Sequence, residues 1–381
     1  MDNQQFDVMI VGGGPAGSSA GIALAQRGYS VALVEKQESI KDKICGEFFS
    51  PECIAYLNEL GVTPDFYSNY PTEINTVTVT LNGSQVSRML NHTAYGLSRI
   101  RFDAMLLEAA RENGVTVLRG YEATGVDDHN GKVKLFVSDK YTGERYVYKP
   151  ALIVAATGAK SGTESLFADQ RMISANAHNV AFKFHADIPD LRNTVELYFT
   201  PFGYLGIGTI ENDRVNICGL IDVKTVREQN GNIDDVLLEM STYNEHLGNR
   251  LEVIDNETEY ISCSNLMFDM RNPKFDNVIC IGDTAGSIHP YCGDGIAMAL
   301  RSGIMCAGVI DNIMRNKQIH DGAAECFQRV WRNEFKNRIA VGNFAHRLMS
   351  GRSTRHVAER FIGWYPRIID LIFKHTRELK V

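Results

Sequence analysis

The stretch FDVMIVGGGPAG, residues 6–17, decides the fold. Phe6–Val11 is a short apolar run with β-branched residues, the pattern of a strand buried on both faces of a parallel sheet. Glycines follow at 12, 14 and 17, and Pro15 opens a segment rich in small residues that reads as a helix to Arg27, stopped by Gly28. Ser30–Glu35 (SVALVE) reads as a second strand. Together they form a βαβ unit with an expected right-handed crossover. Gly12-x-Gly14-x-x-Gly17, placed between strand and helix, gives a tight turn, close backbone approach to a pyrophosphate and close helix–strand packing. Free N–H groups at the helix start suit the phosphates. The expected dinucleotide contacts are Gly12, Gly14, Pro15, Ala16 and Gly17 at the pyrophosphate. Glu35, with Lys36 beside it, closes the second strand and is suited to the ribose hydroxyls. The motif alone does not choose between dinucleotides.

A second glycine-rich block makes that choice. NVICIGD, residues 277–283, reads as another buried strand; Pro290, Gly293 and Gly295 then precede a helical pattern at Gly295–Ile313. A carboxylate at a strand end, Asp283, suits ribityl or ribose hydroxyls, and amides at Gly293–Gly295 suit an electron-rich ring edge. A nicotinamide enzyme has no need of this addition, so the pair of sites favours FAD.

Between these blocks the pattern changes. TVTVTL and QVSRML flank Asn82-Gly83, a hairpin signal. Phe102–Asn113 is helical in period, ALIVAA at 151–156 is a continuous apolar strand, and 175–265 alternates like an antiparallel sheet. The expected fold is therefore α/β: a Rossmann-like FAD-binding domain interleaved with a mainly antiparallel β-sheet substrate domain, plus C-terminal helices. The FAD-binding domain takes 1–64, 96–174 and 266–313, the substrate domain 65–95 and 175–265, and the helical tail 314–381.

Composition bounds the function. With 381 residues, 44% hydrophobic and 22% charged, the chain has ample material for a large core. Its net charge of −7 divides into +8 over Arg329–Val381 and −15 over the rest, so nucleic acid is not an expected partner. The basic tail, especially the aromatic and cationic Phe361–Val381, is either a solvated helical face or a peripheral contact with a membrane or carrier. The N-terminus lacks a basic leader, and no uninterrupted apolar run approaches ~18 residues, which reads as a cytoplasmic chain. Eight scattered cysteines form no C-x-x-C pair and no clustered ligand set, so neither disulfides nor a metal are expected.

The GGGPAG stretch with Glu35, Arg101-Phe102-Asp103 and the Gly282-Asp283…Pro290…Gly293-x-Gly295 block resembles the flavoprotein fold shared by aromatic hydroxylases and geranylgeranyl reductases. Lys43-Ile44-Cys45-Gly46 with Ser50-Pro51 is most similar to the K-x-C-G-G-x-x-S-P stretch of the geranylgeranyl reductases. The resemblance covers about 5 to 310. It implies that Arg101 lies near the FAD phosphates or ribityl chain, and that Ala123 meets the adenine through its backbone. Thr157-Gly158 would pass close to the dinucleotide, Asp283 would hold its centre, and Gly293 and Gly295 would line the flavin. Cys45 and Gly46 would lie near the flavin, with Cys45 a candidate proton donor. His289 is a rival acid–base candidate.

Two departures limit the resemblance. Gly203–Gly208 keeps Tyr204 of the reductases' Y-x-W-x-F-P segment, but Gly206 replaces its tryptophan. Thr157-Gly158 replaces an Asp-Gly pair, which weakens a hydroxylase-type NADPH contact. The halogenase motif W-x-W-x-I-P is missing. The expected activity is FAD-dependent reduction of C=C bonds in an apolar isoprenoid, lipid or polyketide-like substrate. NAD(P)H or another reduced carrier would be the electron donor. The alternatives are an FAD monooxygenase acting on an aromatic, polyketide-like or alkene substrate, and a flavin electron-transfer protein.

Overall fold

A computed structural model describes residues 5–81, 84–129, 131–159, 162–168, 179–188, 190–252, 259–264, 266, 268–316 and 322–350. Val8–Val11 is the central strand of a five-stranded sheet in the order Val278–Cys280, Leu152–Ala155, Val8–Val11, Val31–Glu35, Thr116–Arg119. All four pairings are parallel. The carboxyl ends of these strands therefore lie along one edge, and Gly12, Glu35, Ala156 and Ile281 emerge there together. In an open parallel sheet this edge is the binding crevice.

The helix Pro15–Ala25 carries small residues because another helix, Gly295–Arg315, lies directly on it. A Cβ at Gly303 would stand 2.1 Å from Ser19 Oγ and 2.5 Å from the Ala16 carbonyl oxygen. By length and composition Gly295–Arg315 could cross a membrane. Here its apolar face is used up in the core through Ile296, Leu300, Ile304 and Ile310.

The second sheet has eight strands, in the order Ile261–Ser264, Asn179–Ala186, Val215–Asp222, Gly203–Thr209, Thr194–Thr200, Thr72–Leu81, Ser84–Gly96, Phe48–Phe49. Its pairings are antiparallel except one: Thr194–Thr200 runs parallel to Thr72–Leu81 and joins segments distant in sequence. The two-residue period sorts its faces. Phe182, Phe184, Leu205, Ile207 and Ile217 pack under the helix Ile233–Thr242. Val77, Ala181, Leu197, Tyr204, Gly206 and Cys218 turn the other way, into the space between the sheets. A three-stranded sheet, Tyr121–His129, Lys132–Asp139 and Arg145–Tyr148, completes the β structure among the described residues.

One boundary moves in a way that matters. The helix expected to start at Arg101-Phe102-Asp103 begins at Arg99 and ends at Glu112. The long C-terminal helix Ala323–Ser350 buries Trp331 and Phe335. The Asn82-Gly83 turn and the basic segment Phe361–Val381 lie outside the described residues.

Gly303→Val should overpack the contact between helices 15–25 and 295–315 and lower stability by about 1–3 kcal/mol. Urea unfolding measures this, and an unchanged midpoint would show that the two helices separate freely.

Candidate active site between the two sheets

Glu35 is placed by the fingerprint loop itself. One carboxylate oxygen accepts the Gly13 N–H at 2.8 Å and the other the Gln37 N–H at 2.9 Å. The buried carboxylate sits at the end of its strand and is poised for hydroxyls. Gly17 serves packing: a Cβ there would come within 1.9 Å of the Gly12 carbonyl oxygen. Gly14 is open to the cleft, and the groups nearest a Cβ at this position are Lys43 Nζ at 3.9 Å and an Arg99 guanidinium nitrogen at 4.0 Å.

Those two cations share one buried carboxylate. Arg99 grips Asp103 with two bonds, 2.8 and 2.9 Å, and Lys43 Nζ lies 3.2 Å from it. Burial would push the Asp103 carboxyl up, but Arg99 and Lys43 outweigh this and hold it below the usual carboxylate range. Burial would likewise weaken the charge on Arg99, and Asp103 reverses that effect. Two positive groups against one negative leave a surplus positive charge at Gly14, where the helix N-terminus also presents unpaired N–H groups. That combination suits a pyrophosphate.

From Glu35 and Gly14 a cavity of about 630 Å³ runs past Thr157 and Asp283 to Gly293 and the face of the large sheet. Thr284 ties its middle together: its hydroxyl accepts the Gly158 N–H at 3.0 Å and lies 3.2 Å from the Thr157 hydroxyl. Asp283 lines this cleft with its carboxylate exposed to it, deep among surrounding protein atoms. Burial raises its carboxyl pKa, while Arg271 and Arg99 pull it back. Gly293 takes φ 71° and a Cβ on it would press on the Phe48 ring at 2.9 Å, so only glycine fits. Gly295 opens its helix toward unfilled space.

The compartment beyond Gly293 is apolar, walled by Val77, Ala181, Val195, Leu197 and Tyr204. Gly206 and Gly208 make its floor in ordinary strand conformation, where a Cβ would reach only van der Waals contact. Four cysteines, Cys45, Cys218, Cys263 and Cys292, line the cavity. Cys45 Sγ accepts the Glu47 N–H at 3.3 Å and interacts with the Arg99 guanidinium. Burial pushes the Cys218 thiol up to about 12. Cys292 lies beside the pair Tyr204 and Tyr291, whose rings meet edge to face at 5.7 Å.

Of the residues singled out from sequence, all but Gly17, Arg101 and His289 line the cavity. Arg101 is corrected. Two residues along a helix turn the side chain by about 200°, so Arg99 faces the cleft and Arg101 faces away, bonded to Glu211 at 3.1 Å. His289 is corrected as well. Its ring is not among the groups that line the cavity: it stacks on His346 at 4.1 Å and meets the tilted ring of Phe268 at 4.4 Å. Burial, and then His346, lower its pKa to about 3, so it is neutral near pH 7 and has no proton to spare.

The sequence reading missed Arg99, Asp42, Glu47 and Lys183. Only Arg99 left a signal, as a second cation two residues before Arg101. The other three depend on a strand 140 residues away meeting the loop 41–47.

Comparison with known proteins agrees with this geometry. The family described as FAD binding domain matches residues 5–317. The chain is 24% identical to a digeranylgeranylglycerophospholipid reductase of Methanococcus vannielii, over 87% of this chain and 83% of that protein. It is 22% identical to a 1H-pyrrole-2-carbonyl-(peptidyl-carrier protein) chlorinase of Pseudomonas fluorescens, over 88% and 82%. The solved structure of the flavin-dependent brominase Bmp2 superposes with a TM-score of 0.81 at 18% identity, covering 98% of this chain and 93% of that one.

Arg99→Met should weaken FAD binding at least ~10-fold, as expected for loss of a charged phosphate contact, while Arg101→Ala changes it less than about twofold. Flavin fluorescence titration separates the two, and the reverse order would restore Arg101 to the site.

Proposed function

Because this chain belongs to the FAD binding domain family and is an FAD-dependent oxidoreductase, we propose that it adds hydrogen across a C=C bond of an apolar isoprenoid, lipid or polyketide-like substrate. The observation that carries this reading is an apolar compartment continuous with the dinucleotide groove and bordered by a thiol, Cys45, beside a guanidinium. The residues fit the cofactor. Glu35 would hold the adenosine ribose, Arg99 and Lys43 the pyrophosphate, Asp283 the ribityl region, and Gly293–Gly295 the ring. Bound there, FAD supplies hydride, with NAD(P)H or another reduced carrier as its source.

The chain supplies the rest. Val77, Val195 and Leu197 exclude water from the double bond, and the glycine floor leaves room for a flat or extended hydrocarbon. Cys45 gives the proton, and Arg99 stabilises the thiolate left behind. The reductase relative supports this reading by its printed activity. The chlorinase relative supports a second one, in which the bound cofactor would supply oxygen-dependent oxidation of an electron-rich substrate in the same compartment.

An anaerobic mixing experiment decides between them. Protein reduced under argon and mixed with polyunsaturated isoprenoid lipids should reoxidise and yield a product heavier by two hydrogens per bond in mass spectrometry. Reoxidation only on admission of oxygen would overturn the reduction reading in favour of the second. Cys45→Ser, a weaker acid of similar size, should slow turnover about 10²-fold and leave FAD affinity unchanged; equal turnover would make Cys45 a packing residue.

A further inference from the structure

Behind the loop 41–47 lies a buried cluster that the reaction above does not use. Lys183, on the strand Asn179–Ala186, is fully buried and donates to Asp42 at 2.5 Å and to Glu47 at 2.6 Å. His185 lies two residues along the same face, and its Nε2 stands 2.7 Å from the second Glu47 oxygen and 3.9 Å from Asp42. Glu47 also accepts the Arg99 backbone N–H at 2.5 Å. It adopts the left-handed region at φ 53°, which costs a non-glycine residue about 1–2 kcal/mol and persists because these bonds over-determine it.

Position and charge suggest a use. Asp42 and Glu47 line the cavity, whereas His185 and Lys183 stand behind them. His185 keeps 13% side-chain exposure although it is not among the residues that line the cavity, and Lys183 keeps none. The groups facing the imidazole are Asp42 and Glu47 from the loop, Lys183 from its own strand and the uncharged Asn216 across the strand pair. Two carboxylates therefore meet one ammonium, and the imidazole bonds the Glu47 oxygen that Lys183 leaves free. The ligand atoms of Asp42, Glu47 and His185 also lie within 4.8 Å of one another, but Lys183 Nζ already supplies a cation in their midst.

We propose that His185, Glu47, Lys183 and Asp42 form a proton entry route, carrying protons from solvent through the wall of the cavity to the flavin compartment. It rests on the FAD reading, in which the proton that Cys45 gives up must be replaced from solvent at every turnover. His185 takes a proton from water and passes it to Glu47, and Lys183 hands one on to Asp42 at the cavity face. Each link is a hydrogen bond of 2.5–2.7 Å. When a group in the cavity consumes a proton, Asp42 or Glu47 gives it up and is refilled from His185. No group in the route changes oxidation state.

The route can be read without a substrate. In weakly buffered solution, electrochemically generated methyl viologen radical, which carries electrons and no protons, reduces the FAD-loaded protein. Two viologen radicals give up one electron each to the flavin, and at least one proton is taken from solvent, followed by a pH-indicator dye. His185→Gln should slow proton uptake at least ~10-fold with the extent of flavin reduction unchanged. His185→Ala should be slow as well, and millimolar imidazole should restore it. The surface control His246→Gln should match the parent. Lys183→Met adds a further slow variant if it folds, and the two His185 variants carry the test if it does not. Parental uptake rates in both His185 variants, or no rescue by imidazole, would overturn the route. Slow uptake in a protein that reduces no alkene would keep the route and remove the C=C reading. Alkene reduction with unaltered uptake would do the opposite.

Discussion

A single buried carboxylate, Asp103, organises the site. It has no exposure of its own and draws Arg99 and Lys43 onto its two oxygens. Removing one partner of such a pair strands a charge in the interior, at a cost of about 3–5 kcal/mol. Through Lys43 it anchors the loop 41–47, and through Arg99 it fixes the start of the helix Arg99–Glu112. Both cations are thereby set at Gly14, where the fingerprint turn and the helix N-terminus meet.

The loop 41–47 then works in two directions. Lys43 reaches toward the parallel sheet and its phosphate turn, while Asp42 and Glu47 reach toward Lys183 and His185 on the large sheet. Cys45 lies between them on the cavity wall, its carbonyl held by Asn216 at 3.0 Å. The alignment of the dinucleotide groove with the apolar compartment therefore depends on charged contacts made by three residues of this loop, Asp42, Lys43 and Glu47. These contacts are made in the interior, where ion pairs are strong and unpaired charges costly.

The parallel sheet and the nucleotide half of the site were legible because local chemistry dictates them. Apolar runs, glycines at fixed offsets and Glu35 at a strand end each act within a few residues. The site's second half was legible only in outline. Gly206 and Gly208 mean little until the strand pairing turns them toward the cavity, and Lys183 reads as a surface lysine until its strand is seen to face Asp42 and Glu47. Arg101 was misplaced because the helix starts at Arg99, and a shift of two residues exchanges the inner and outer faces. His289 was overvalued for a related reason: its sequence position beside Pro290 did not reveal that its ring stacks on His346 and does not line the cavity.

The most direct measurement is calorimetric titration of flavin-free protein with FAD, FMN and NAD. An extended site with Glu35 at one end, two cations at the middle and Gly293–Gly295 at the other needs both halves of one ligand. FAD should bind with sub-micromolar affinity, FMN at least ~100-fold more weakly because the adenosine and its ribose contact are missing, and NAD more weakly still. Equal affinity for FMN and FAD, or tighter binding of NAD, would contradict the account.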